Sequence, residues 1–150
     1  MPMYLTAAVI DSDPLSRTLI IARLAAMGHR GLVCVAKTFN AIERLVDIVF
    51  VDLLNPEKEG IEVIMEIRAR HPSLLIMAMS RGTRSVPAST LLGFAVDLGA
   101  NFALIKPLAP IAVDAILTHV FELRCRADPV NEDWKRLPDE PIPLNIRATA

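Results

Sequence analysis

Asp11, Asp52, Ser80 and Lys106 are the residues of this chain whose types and placement could do chemistry together. Each one follows a short apolar run: Leu5 to Ile10, Ile48 to Val51, Leu74 to Met79, and Phe102 to Ile105. Two carboxylates can hold a hard divalent cation. An ammonium group is a point charge suited to a phosphate oxygen, and a hydroxyl adds a donor. A carboxylate beside a metal and a lysine can act as a nucleophile and become an aspartyl phosphate. Taken singly, each residue has a plainer role. Asp11 and Asp52 could turn the chain, Ser80 could be a loop hydroxyl, and Lys106 a solvated charge. Asp13 precedes Pro14 and is most simply a helix N-cap. Four suitable residues after four apolar runs form a pattern that the single roles do not explain.

The runs themselves say what must position these residues. Together with Leu32 to Ala36 they read as five strands buried on both faces, as in a parallel sheet. Helix-like segments alternate with them at 14–27, 39–46, 60–70, 88–98 and 109–126. Gly28 and Gly99 close two of these, and His71-Pro72 ends a third. The layout is α/β: a doubly wound (βα)5 parallel sheet with helices on both faces. In such a sheet, ligands bind beyond the carboxyl ends of the strands, where the four residues gather.

Composition narrows the function classes. The chain has 150 residues, 53% of them apolar, with 16 bases and 17 acids. That suits one domain with one sizeable core. The near-zero charge does not point to nucleic acid or a membrane surface as a partner. Cys34 and Cys125 are too few and too far apart for a disulfide scaffold or a zinc module, and suit the cytoplasm. Cys34 is expected in the core. His29, His71 and His119 share no spacing and are expected at the surface. Residues 127–150 hold 4 of the 11 prolines and the only Trp, Trp134. They read as a Pro-rich tail beyond a domain over 1–126, not as a second domain.

The sequence resembles the receiver domain of two-component response regulators. The matching stretches are Val9-Ile10-Asp11-Ser12-Asp13-Pro14-Leu15-Ser16-Arg17, Asp47 through Gly60, Ser80, and Leu98-Gly99-Ala100 through Lys106-Pro107-Leu108. The resemblance implies a flavodoxin-like fold with strand order 2-1-3-4-5. It implies that Asp52 is the phosphoacceptor, and that Asp11, Asp52 and the carbonyl of Leu54 hold Mg2+. Ser80 would hydrogen-bond the phosphoryl group and Lys106 would pair with it. The Lys106-Pro107 bond would be cis, and Gly60 would open the third helix. Three positions depart from the family pattern. Ser12 stands where a second acid usually ligates the metal, with Asp13 as the neighbouring acid. Ala103 stands at the aromatic switch position, with Phe102 as the nearby aromatic. The loop Arg81-Gly82-Thr83-Arg84-Ser85-Val86-Pro87 is long and bears arginines. It resembles that of a subset of free-standing receivers.

The leading expectation is a stand-alone receiver in the cytoplasm, a switch and not an enzyme beyond self-phosphorylation and self-dephosphorylation. A sensor histidine kinase or phosphotransfer protein would be the donor, and a downstream protein the target. The tail is too short for an output domain of roughly 60 residues or more. Neither nucleic acid nor membrane is expected as a direct partner. Two alternatives stand beside it. One is a pseudo-receiver that binds partners without phosphorylation. The other is a haloacid-dehalogenase-like phosphatase, with Asp11 as nucleophile and Asp13 as general acid. Arg81 and Arg84 are expected to approach a new phosphoryl dianion. Segment 109–126 carries a wide apolar arc that includes Val113, Leu117, Phe121 and Leu123, and segment 88–98 is also apolar. Spare apolar surface there would dock a partner or a second copy, unless the tail covers it.

Overall fold

A computed structural model describes residues 3–126. The expected tail, Trp134 as its lid, and the boundary near 127 lie outside the described residues. Five strands form one parallel sheet: β1 (Thr6–Ile10), β2 (Arg30–Val33), β3 (Ile48–Asp52), β4 (Leu75–Ser80) and β5 (Phe102–Ile105). Their order is β2-β1-β3-β4-β5, as the resemblance implied. Four α-helices cover it: α1 (Pro14–Ala26), α2 (Gly60–Arg70), α3 (Ala88–Asp97) and α4 (Pro110–Arg126).

Alternate residues of β1, β3, β4 and β5 feed opposite cores. Val9, Phe50, Met77 and Leu104 pack under α1 and α4 with Ile20, Leu24, Val113 and Leu117. Ala8, Val49, Val51 and Ile76 pack under α2 and α3 with Val63, Ile64, Leu92 and Ala95. Burial on both faces explains why β1, β3 and β4 read as continuous apolar runs. The register brings their carboxyl ends level: Ile10 lies beside Val51, Asp52 beside Met79, and Ser80 beside Ile105. The chain therefore leaves the sheet at Asp11, Asp52, Ser80 and Lys106 along one edge.

The structure corrects several expectations. Segment 39–46 is not an α-helix but part of two 3-10 turns, Ala36–Ala41 and Glu43–Leu45. Neither Val35 nor Ile42, which precede these turns, caps its turn with a side-chain hydrogen bond. Val46 is already extended, ready to enter β3. The short turns still bury Phe39, which is what the apolar spacing reflected. Strand β2 lies two residues earlier than expected and is largely exposed, with Val33 at 51%. It is an edge strand under a thin cover. Cys34 therefore follows the strand and is half-buried.

The histidines are half-buried, not free on the surface. His29 Nδ1 accepts from the Leu5 N–H at 3.1 Å, and His71 Nε2 lies 2.8 Å from Glu43. His119 Nε2 is buried without a partner among the described residues. On α4, Val113, Ile116, Leu117 and Val120 are buried, while Phe121 and Leu123 are half-buried. The apolar residues left exposed on this side are Phe94, Leu98 and Ile111. Among the described residues, no helix is long and apolar enough to cross a membrane.

Candidate functional site

Asp52 is the last residue of β3, and its Oδ1 accepts the Leu54 N–H at 3.2 Å. The loop after β3 then returns, so that α2 starts against the end of the strand, with the Gly60 N–H donating to the Leu53 carbonyl at 3.1 Å. Gly60 makes that approach possible: a Cβ there would lie 2.3 Å from the Asp52 carbonyl oxygen and 2.5 Å from the Leu53 Cα. Those are backbone atoms, so no side-chain rotation could relieve the clash. Gly60 thus opens α2, as the resemblance implied, and lets the helix start against the end of the strand that carries Asp52.

Lys106 leaves β5 and points its Nζ into the acids. It lies 2.6 Å from Asp11 Oδ2, 3.3 Å from Asp52 Oδ2 and 3.9 Å from Asp13 Oδ2. The Lys106 and Asp11 side chains are 2% and 0% exposed, so this is a buried charge cluster. One cation faces two buried carboxylates there. Burial pushes the Asp11 carboxyl up from its ordinary value, and the Asp52 charge adds to this. The Lys106 hydrogen bond and the Asp13 N–H on Asp11 Oδ1 oppose the rise without cancelling it. The Lys106-Pro107 peptide is cis, as expected.

Asp13 caps α1: its Oδ1 accepts the Leu15 N–H and its Oδ2 the Ser16 hydroxyl. The Ser16 hydroxyl, the Leu15 amide, and the Lys106 and Arg81 charges outweigh burial and hold the Asp13 carboxyl below its ordinary value. The part of Ser16 in the cap is not legible in the sequence, since a serine three residues after the cap lacks the Glu or Gln of a capping box. Ser12 is exposed beside these acids.

Ser80 is fully buried at the end of β4. Its Oγ accepts the Gly82 N–H at 3.0 Å, and its carbonyl accepts the Lys106 N–H at 2.8 Å. Among the described residues the hydroxyl proton has no acceptor. The loop after it is a built turn. Gly82 has φ +77°, and a Cβ there would lie 2.6 Å from the Ala88 nitrogen. Thr83 holds the far side, with its Oγ1 accepting from the amides of Ser85 and Val86. Arg81 reaches back to Asp13, while Arg84 is exposed and makes no ion pair among the described residues. Phe102 does not substitute for an aromatic at Ala103. It is buried on the α1/α4 side of the sheet, and Ala103 faces the other side.

The structure therefore brings together Asp11, Asp13, Asp52, Ser80, Arg81 and Lys106, with Leu54 and Ser12 at the rim. Arg84 stands apart. A cleft of about 450 Å³ opens beside the cluster, lined by Leu15, Leu19, Arg81, Lys106 and Leu108 among others. Among the described residues, no group of three or more His, Cys, Asp or Glu is arranged to hold a metal. The Asp11 and Asp52 carboxylates, both within 3.3 Å of Lys106 Nζ, are nonetheless oxygen donors of the kind a hydrated hard cation takes. Mg2+ commonly keeps several waters and takes one or two carboxylates.

Solved structures share this fold. The receiver domain of DrrB, described as BeF3-activated, superposes with a TM-score of 0.69 at 19% identity, over 80% of this chain and 99% of that one. The chemotaxis response regulator CheY4 of Vibrio cholerae gives 0.67 at 17% identity, over 79% and 99%. The fold is the receiver fold. NtrX of Brucella abortus, in complex with ADP, matches the receiver fold of this chain with a TM-score of 0.70 at 23% identity, over 80% of this chain and 27% of its own. A curated relative, the transcriptional regulatory protein GlnL of Bacillus subtilis, is 31% identical over 77 residues. That match spans 51% of this chain and 23% of GlnL, so the chain covers under a third of these longer proteins. No protein-family model matches the chain.

Proposed function

We propose that this receiver fold accepts a phosphoryl group on Asp52 from the phosphohistidine of a sensor kinase or phosphotransfer protein, and signals through a protein partner. The observation that carries the reading is Asp52 Oδ2 at 3.3 Å from a buried Lys106 Nζ, beside Asp11, at the end of β3. In the step, an Asp52 oxygen forms a bond to phosphorus. The phosphorus–nitrogen bond breaks, and its electron pair returns to the imidazole, which takes up a proton. Mg2+, when bound by Asp11, Asp52 and the Leu54 carbonyl, would supply positive charge to the phosphoryl oxygens. Lys106 offsets part of the acids' charge before transfer and is placed to pair with the phosphoryl group after it. The Ser80 hydroxyl donates its free proton to that group. Hydrolysis of the aspartyl phosphate resets the switch.

The Asp11 phosphatase reading has weaker support. Both Asp13 oxygens are engaged in capping α1, which is a poor posture for a general acid. The pseudo-receiver reading draws on Ser12, which adds no charge where the family has an acid. The cytoplasm is the compartment we assign: Cys34 and Cys125 are unpaired, and burial pushes the Cys34 thiol up to about 11, so it is unreactive.

Beryllofluoride, a mimic of a phosphoryl group on a carboxylate, separates the three in the presence of Mg2+. Amide signals from Asp52, Ser80 and Lys106 should shift in the wild type and stay still in Asp52→Asn. Shifts that survive Asp52→Asn would favour the phosphatase, and a silent wild type the pseudo-receiver.

A further inference from the structure

Arg81 meets Asp13 in a contact that phosphoryl acceptance on Asp52 leaves unexplained. Arg81 Nη2 donates to Asp13 Oδ2 at 3.2 Å, and the Arg81 side chain is 62% exposed. Asp13 does not need it. Its oxygens already take the Leu15 amide and the Ser16 hydroxyl, which complete the cap of α1. Nor does Arg81 have freedom at its backbone. It sits between Ser80, which is fully buried, and Gly82, whose N–H is tied to Ser80 Oγ. The walls around Gly82 leave no room for a side chain. The root of Arg81 is thus fixed at the mouth of the site, while among the described residues its guanidinium hangs on one solvent-facing bond.

The charges around it are unbalanced. Asp11, Asp13 and Asp52 face Lys106 and Arg81, and Lys106 is already within 3.3 Å of both Asp11 and Asp52. A phosphoryl group adds nearly two further negative charges. The contacts run without a break from Arg81 to Asp13, on to Lys106 at 3.9 Å, and on to Asp52. A planar guanidinium fits phosphoryl oxygens better than an ammonium does.

We propose that Arg81 is a second phosphoryl-binding residue, held in reserve by Asp13 and released to the phosphoryl group when Asp52 is modified. The inference rests on the reading of Asp52 as acceptor. Asp13 then has two roles: it caps α1, and it competes with the incoming phosphoryl group for Arg81. That competition sets how readily the site loads.

The test is the rate of phosphoryl incorporation from acetyl phosphate with Mg2+ at low salt, with the modified residue mapped. Arg81→Gln should load Asp52 roughly three- to tenfold more slowly, the scale of a partly exposed charged contact. Arg81→Lys should recover part of the loss. Asp13→Asn keeps a cap oxygen and releases Arg81, so it should load faster. Its gain should be larger with Arg81 present than in the Asp13→Asn, Arg81→Gln double variant. Equal gains in both backgrounds would show a simple loss of negative charge and overturn the reserve role. Loading of Arg81→Gln at the wild-type rate would overturn the binding role while leaving Asp52 as acceptor. A wild type with no adduct on Asp52 would instead bring down the acceptor reading, and this inference with it.

Discussion

At the amino edge of the sheet, Arg68 of α2 sits among backbone carbonyls. It donates to those of His71, Pro72, Leu74 and Gly99, at 2.6 to 3.1 Å, and to Asn101 Oδ1. Asn101 Oδ1 in turn accepts the Ile76 N–H. At the carboxyl edge, Lys106 sits among Asp11, Asp13 and Asp52. Arg68 is half-buried and Lys106 is buried, and their surroundings differ in kind. Arg68 meets neutral acceptors in number and ties the loops before β4 and β5 to α2. Lys106 meets more negative charge than it can neutralise, and burial, with the Asp52 charge added to it, pushes the Asp11 carboxyl up. Removing a group should therefore damage the first edge and relax the second, as expected where function rather than stability has set the residues.

Replacing Arg68 with Ala should have the largest effect. It strips partners from several carbonyls at once and should cost about 3 kcal/mol in chemical denaturation. Acceptance of phosphoryl by the folded fraction should be unchanged. A loss confined to phosphoryl acceptance would erase the contrast between the edges.

Ser12→Asp adds a further acid to the strained edge. Mg2+ affinity by titration should rise about tenfold, since charge count tunes the binding of hard cations. Equal or weaker binding would show that Ser12 does not lie in the metal's reach.

Asp52→Asn should remove repulsion from the same edge, because Lys106 keeps its bond to Asp11. The variant should be more stable by about 1 kcal/mol without Mg2+. A destabilised variant would mean that the Lys106–Asp52 pair holds the fold and that the edge is not strained.

The smallest effect belongs to Glu43, near the amino edge. Burial pushes its carboxyl up, but His71 and Arg70 outweigh this and hold it below its ordinary value. A depressed carboxyl stabilises above the unfolded-chain pKa and loses that contribution as pH falls through the folded one. Glu43→Gln should cost about 0.5 kcal/mol at neutral pH. The gap should close in acid. A gap that widens in acid would reverse the sign assigned here.

The two edges also differ in how far the sequence discloses them. Asp11, Asp52, Ser80 and Lys106 are readable because each polar residue ends an apolar run, and the parallel sheet then gathers run ends. Asp13 as a cap is readable from Pro14 after it. Arg68 is not readable. In sequence it is one more base near a helix C-terminus, and its acceptors are carbonyls that every residue possesses. The 3-10 turns over 36–45 were hidden for a related reason. Phe39 and Val46 mark which side chains are buried, and burial alone does not say which hydrogen-bond pattern delivers them. Edge strand β2 misled because Leu32 and Val33 are apolar by type while having a neighbour strand on only one side.

The central claim is that Asp52 is where the strained edge takes its phosphoryl group. Intact-mass measurement after acetyl phosphate and Mg2+ treatment, followed by borohydride reduction and peptide mapping, addresses it most directly. The account predicts a single hydroxylamine-labile phosphoryl group on wild-type chains, located at Asp52 and missing from Asp52→Asn. A phosphoryl group that persists in Asp52→Asn, or a wild type that gains none, would contradict it.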